Sequence, residues 1–308
     1  MENKKQLPSW FYMASLIFVI LMWGTMPVIT KKMYIFFSPT VYTTLMGLTA
    51  GIAMFFISFK HLRRLSRELL KISIPTGIIN ALAAILQKIG LQYTTPTKCA
   101  FLDTLSCITV PIMLFILTRK RPTPLKLLAA FLCLSGCFVL TGVRFGDFSA
   151  FGIGEILCAL AGILYGVNIA ITGIYAQKIF VPLHVMIHMG VQVVTGSIMA
   201  VLLHFITVNG QPMEQFRFTF AFKPILFMIL IGLVASALGW MIRINALKKI
   251  DPTVVGVMMP MSSVVTGFVS VLFGTDALTA RLLIGGALGT SASIVSNLSS
   301  GAQKTKRS

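Results

Sequence analysis

The sequence predicts an all-α integral membrane protein of ten transmembrane helices in two inverted five-helix repeats. Three observations carry this. Of 308 residues, 56% are hydrophobic and only 11% charged, against roughly a quarter charged in a soluble domain. Lipid must therefore be the solvent for most of the surface. The apolar residues fall in runs of about 20, the length of helix that crosses a bilayer core. Finally, the two halves of the chain resemble each other weakly.

The ten runs lie near 11–30, 40–59, 73–93, 99–118, 125–143, 154–174, 183–207, 224–246, 253–273 and 280–298. The first follows Lys4 and Lys5, as in a signal peptide. It contains Trp23, Gly24 and Pro27, ends on Lys31-Lys32 and lacks a small-residue cleavage site, so it reads as a retained span. The five cysteines (Cys99, Cys107, Cys133, Cys137 and Cys158) all lie inside apolar runs. They read as small buried hydrophobes, with no metal or cofactor implied.

A net charge of +18 would point to nucleic acid in a soluble protein. Here the charges cluster between apolar runs, which suits a partner of anionic lipid headgroups in the bilayer and not nucleic acid. One set of connections, with both termini, holds 18 of the 26 Lys and Arg residues. The opposite set holds seven: Lys31, Lys32, Lys98, Arg144, Arg217, Lys223 and Arg281. This bias predicts cytoplasmic N- and C-termini in a multi-pass protein of a bacterial-type inner or plasma membrane. The basic segments 61–71 and 119–126 read as topology anchors.

Thr95-Pro96-Thr97 falls on Asp251-Pro252-Thr253 at an offset of 156 residues, as do Ala81-Leu82 on Ala237-Leu238 and Gln87 on Arg243. Near the start of each half the offset is 142, pairing Trp23-Gly24 with Tyr165-Gly166 and Ile29-Thr30 with Ile171-Thr172. The chain thus divides into 1–148, with spans one to five, and 149–308, with spans six to ten and a short basic tail. An odd number of spans per copy turns the second upside down. Inverted repeats are associated with transporters whose central site opens alternately to each side. Duplication without alternating access is the plainer alternative.

The motifs that fill this frame are Trp23-Gly24-Thr25, the segment GLQYTTPTKCAFLDTLSCITVPIMLFILTRKRPT at 90–123, Gly154-Glu155-Ile156-Leu157, Pro260, and FGTDALTARLLIGGALG at 273–289. In these the chain resembles the EamA-like branch of the drug/metabolite transporter superfamily along nearly its whole length. The resemblance implies a ten-helix carrier of small organic molecules, amino acids and other metabolites among them, with a central cavity between its halves. The chain departs from the family pattern at Lys120 and Asp276, where members usually carry Glu, and at Asp103, where a neutral polar residue is expected.

Ionisable residues inside spans are functional candidates because burying them is costly. Lys88 and Asp103 flank the turn TTPT on adjacent antiparallel helices, about six residues from their ends, or ~9 Å deep. They could pair structurally, hold a charged or zwitterionic solute, or, through Asp103, take up protons. Asn80 and Gln87 share a face of span three with Ala83 and Ala84, a pattern of cavity lining or helix packing. Tyr165, Asn168, Thr172 and Tyr175 form a polar stripe on span six, and with Trp23 they suggest a pocket wall. His188 and Gln192 are expected to face the interior of span seven. His184 and His188 are spaced i, i+4, as in zinc helices, but lack a third ligand. Arg243, near a helix end beside Lys248 and Lys249, is expected to snorkel to the interface, with contact to an anionic group as its other role.

These features favour a secondary carrier of a small polar solute over an enzyme. No nucleotide-binding motif is visible. A membrane-embedded enzyme acting on a lipid-linked substrate is the alternative, but the eight acidic residues form no sequence cluster of the kind such sites use. A channel would call for a charged ring or filter repeat.

Overall fold

The computed structural model describes residues 9–119, 121–141, 152–208, 210–277 and 279–305. The described chain is almost wholly helical: α1 (Ser9–Met33), α2 (Pro39–Ser58), α3 (Arg67–Tyr93), α4 (Pro96–Leu102), α5 (Ser106–Thr118), α6 (Pro124–Thr141), α7 (Ile153–Ile174), α8 (Val181–His204), α9 (Phe222–Ile231), α10 (Gly239–Leu247), α11 (Pro252–Met258), α12 (Met261–Leu272) and α13 (Ala280–Thr305). A two-stranded hairpin, Thr207–Val208 with Gln211–Pro212, follows α8.

Among the described residues, eight helical segments are long and apolar enough to cross a membrane: Trp10–Met33, Pro39–Arg64, Arg67–Tyr93, Pro96–Thr118, Ile153–Ile174, Val181–His204, Phe222–Leu247 and Pro252–Leu272. Helices α6 and α13 carry shorter apolar stretches among the described residues, Pro124–Gly136 and Leu283–Ala292. Large side chains such as Phe56, Phe131 and Val201 point outward, as lipid-facing positions would.

Local chemistry sets the helix starts. Pro39, Pro96 and Pro252 occupy the first turn, where a missing N–H costs nothing. Ser66 Oγ accepts from Leu69 N at 3.1 Å, Thr95 Oγ1 from Lys98 N at 3.3 Å, and Asp251 Oδ1 from Thr253 N at 2.8 Å.

Three spans are interrupted. A 3₁₀ turn, Asp103–Leu105, separates α4 from α5. Met259-Pro260 separates α11 from α12, at the position 156 residues further on. A π-helical turn, Gly232–Leu238, joins α9 to α10, a device common at functional sites.

Helix neighbours run between the halves: α3 along α7 and α8, α2 along α8, α6 along α13, α1 along α12, and α5 along α7. Two close crossings need glycine. A Cβ on Gly24 would stand 2.5 Å from Val265 Cβ, and one on Gly166 would stand 2.5 Å from Thr109 Cβ. The sequence offsets map the first contact onto the second: Gly24 on Gly166, and Thr109 on Val265.

Polar contacts gather the connections into two faces. On one, Lys178 Nζ meets Glu68 Oε1 at 2.8 Å, Gln177 donates to the Lys248 carbonyl, and Lys126 Nζ meets Asp251 Oδ2 at 3.1 Å. On the other, the TTPT turn is a hub. Thr94 Oγ1 donates to Glu155 Oε1 at 2.6 Å, Thr97 donates to Asp276, and Lys31 Nζ reaches the Leu91 carbonyl at 3.0 Å. Lys31 thereby answers free carbonyls at the end of α3.

Candidate functional site

A cavity of about 180 Å³ lies inside the bundle, bounded by α1, α2, α3, α4, α5, α7, α8, α10 and α12 and by the π-helical turn. Eight sequence candidates line it: Trp23, Asn80, Gln87, Lys88, Asp103, Tyr165, Gln192 and Arg243.

Its polar centre is a relay. Lys88 Nζ donates to Gln87 Oε1 at 2.5 Å, and Gln87 Nε2 donates to Asp103 Oδ2. Tyr165 OH donates to the same Gln87 oxygen at 3.3 Å. No direct ion pair joins Lys88 to Asp103; the Gln87 amide sits between them and bonds both. Asp103 Oδ1 is buried and carries no hydrogen bond, as does Asn80 Oδ1. Asp103 is placed by the break in its own span: it opens the turn between α4 and α5, which keeps its carboxylate beside α3.

Arg243 corrects an expectation. It does not snorkel outward: only 2% of its surface is exposed. Its Nη2 donates to Asn168 Oδ1 at 2.7 Å, and its guanidinium lies 4.3 Å from the Trp240 ring centroid. Helix α10 turns this position inward, where Asn168 of α7 receives it.

Asn168, Thr172 and His188 are buried, but they stand outside the cavity wall, packed between helices. Asn168 Nδ2 donates to the Thr76 carbonyl at 2.8 Å, and Thr76 Oγ1 meets His188 Nε2 at 2.9 Å. His184 Nδ1 meets Ser73 Oγ at 2.7 Å, with its ring 4.1 Å from that of His188. These groups support Arg243 from behind. Gln192 lines the cavity and donates to the Thr43 carbonyl at 2.9 Å.

The sequence reading missed several wall residues. Trp240 packs against Trp23 with ring centroids 5.7 Å apart. Trp23 Nε1 donates to the Ala235 carbonyl at 2.9 Å, within the π-helical turn. Ser106, Ser236, Ser262 and Thr266 add hydroxyls to the wall. Spacing offered one usable signal, the i, i+3 pair Trp240 and Arg243. Cys99 and Cys158, read as small buried hydrophobes, are buried, with their sulfurs 2.8 Å apart beside the Gln87 carbonyl.

Two solved or curated proteins bear on the fold and family. A solved crystal structure covers 95% of this chain and 98% of its own, with a TM-score of 0.69 at 17% identity. At that identity it speaks for the fold alone. An uncharacterized transporter of Archaeoglobus fulgidus is 26% identical over 159 residues, which is 52% of this chain. The chain spans about half the length of that curated relative, 48%. The family model of EamA-like transporters matches residues 10–142. The resemblance read from Trp23-Gly24-Thr25 and the 90–123 segment thus holds over residues 10–142, where the chain is similar to the EamA-like transporter family, and its long apolar helices fit a multi-pass membrane protein.

Proposed function

We propose that the chain is a secondary carrier that moves a small polar organic solute through this cavity by alternating access. One observation carries the reading. Lys88, Asp103 and Arg243 converge on one small internal cavity, together with Trp23, Tyr165 and Trp240. A few convergent polar groups within aromatic walls make a solute site, and charges buried in a span mark a transport path.

The two-fold features support the rest of the mechanism. Spans four and nine break at repeat-equivalent positions, and the Gly24–Val265 and Gly166–Thr109 crossings are repeat-equivalent too. Discontinuous helices near the repeat interface are where inverted-repeat transporters bind their cargo. In this reading α6 and α13 complete ten spans, 1–148 and 149–308 are the inverted halves, and rocking of one against the other opens the cavity to either side. Both termini face the cytoplasm of a bacterial-type cell, following the Lys and Arg bias.

Asp103 is proposed as the group most sensitive to the solute or to a coupled proton. The test is a thermal-shift screen of purified protein against metabolites, since a true ligand stabilises the state it binds, followed by liposome uptake. Asp103→Asn should lose uptake or its pH dependence while keeping wild-type yield. Unchanged uptake at every pH would remove Asp103 from both roles.

A further inference from the structure

Arg243 and Lys88 both line the cavity, where Asp103 is the one carboxylate. Lys88 is tied to Asp103 through Gln87, so that group is close to self-neutralised. Arg243 is different. Its named partners are the neutral Asn168 amide and the face of Trp240, and its Nε is buried without a hydrogen bond. Among the described residues the ion pairs are Lys98–Glu155, Lys126–Asp251 and Lys178–Glu68, and none includes Arg243.

A guanidinium stays charged in a protein. A buried charge ordinarily has a counter-charge, because desolvation alone is costly. We propose that the cavity's solute supplies it: the carried molecule is a small organic anion with an aromatic or planar body. Its acidic group sits beside Arg243. Its ring lies against Trp23 and Trp240, whose tilted faces stand 48° apart and next to the guanidinium. The cavity of about 180 Å³ limits that body to a small one. Guanidinium recognises a planar acid better than an ammonium would, through two parallel donors. This inference rests on the reading of the cavity as the solute site.

The chain has three tryptophans, and Trp10 is 67% exposed near the N-terminus. Trp10→Phe leaves Trp23 and Trp240 as the fluorescent reporters of the cavity. The full-length Trp10→Phe protein in detergent would be titrated with phenylacetate, phenylacetamide and 2-phenylethylamine, which differ in charge but hardly in body. Quenching should give a Kd for phenylacetate at least about tenfold below that for the amide, the margin a charge-assisted hydrogen bond gives over a neutral one. The amine should bind most weakly. Arg243→Gln should erase the preference for the acid, and Arg243→Lys should retain part of it. The ligand comparison on unmutated Arg243 stands even where the Gln variant fails to fold. Equal Kd values, tighter binding of the amine, or no binding of any of the three overturns the proposal. Selective binding of phenylacetate without uptake into liposomes overturns the carrier reading instead and leaves the anion site intact.

Discussion

Replacing Gln87 by Leu removes the amide that joins Lys88 to Asp103 and changes the volume little. Gln87 makes three side-chain bonds, to Asp103 Oδ2, Lys88 Nζ at 2.5 Å and Tyr165 OH at 3.3 Å. Two involve charged groups, worth roughly 1.5–3 kcal/mol each. Water in the cavity can replace part of this, so the net loss should be roughly 2–4 kcal/mol. At about 2–4 °C per kcal/mol for a chain of comparable size, the melting temperature in detergent should fall by about 10 °C. The relay also predicts a pattern. Lys88→Met and Asp103→Asn should each be costly in the wild-type background but nearly additive with each other once Gln87 is Leu, because the coupling runs through the amide. A melting temperature for Gln87→Leu within about 2 °C of wild type, with Lys88 and Asp103 still strongly coupled, would refute the relay and restore a direct pair.

Three further expectations follow from other parts of the bundle. Gly24→Ala and Gly166→Ala each place a Cβ 2.5 Å from a facing Cβ, and each should lower stability by about 1–3 kcal/mol, read as a drop in melting temperature. Glu214, in the connection between α8 and α9, accepts from Thr40 Oγ1 at 2.6 Å and is almost fully buried. Burial raises its pKa above the ordinary 4.5 despite those hydrogen bonds. A raised carboxyl favours the folded state at low pH. Its contribution is fully present below the unfolded value and is lost as pH rises through the folded one. Between pH 5 and neutrality the Glu214 contribution falls as pH rises, so Glu214→Gln should gain melting temperature relative to wild type as pH is raised across that window. Impermeant thiol labelling of a cysteine placed at position 2 or 308 should report both ends on the cytoplasmic side, and labelling from outside would reverse the orientation.

The spans were readable because lipid permits few solutions: a run such as 73–93 must be helix, and Pro39, Pro96 and Pro252 mark starts by their missing N–H. The inward faces were readable from polar stripes, since Asn80, Gln87, Tyr165 and Asn168 would be costly against lipid. What a stripe does not encode is which inner surface it meets. Asn168, Thr172 and His188 are as buried as expected, but they contact neighbouring helices and not the cavity. Arg243 was misjudged for the same reason. Its place beside Lys248 and Lys249 suggests an interface, whereas the amide that holds it is 75 residues away in sequence. The π-helical turn at 232–238 had no local marker in the sequence, and the Trp23 indole that donates to its Ala235 carbonyl lies 212 residues away. Gln87, a candidate for cavity lining or helix packing, lines the cavity and joins Lys88 to Asp103, a bridging place that spacing along one helix does not encode.

A carrier that moves its solute through one internal cavity must show trans-stimulated exchange. Purified protein would be reconstituted into liposomes and loaded with an unlabelled ligand found by thermal shift, and entry of the labelled ligand would be followed. The carrier reading predicts faster labelled entry with the unlabelled ligand inside, and its loss when Trp23 and Trp240 are both replaced by Ala. Flux indifferent to internal ligand would indicate a channel, chemical conversion of the ligand would indicate an enzyme, and either result would contradict the carrier.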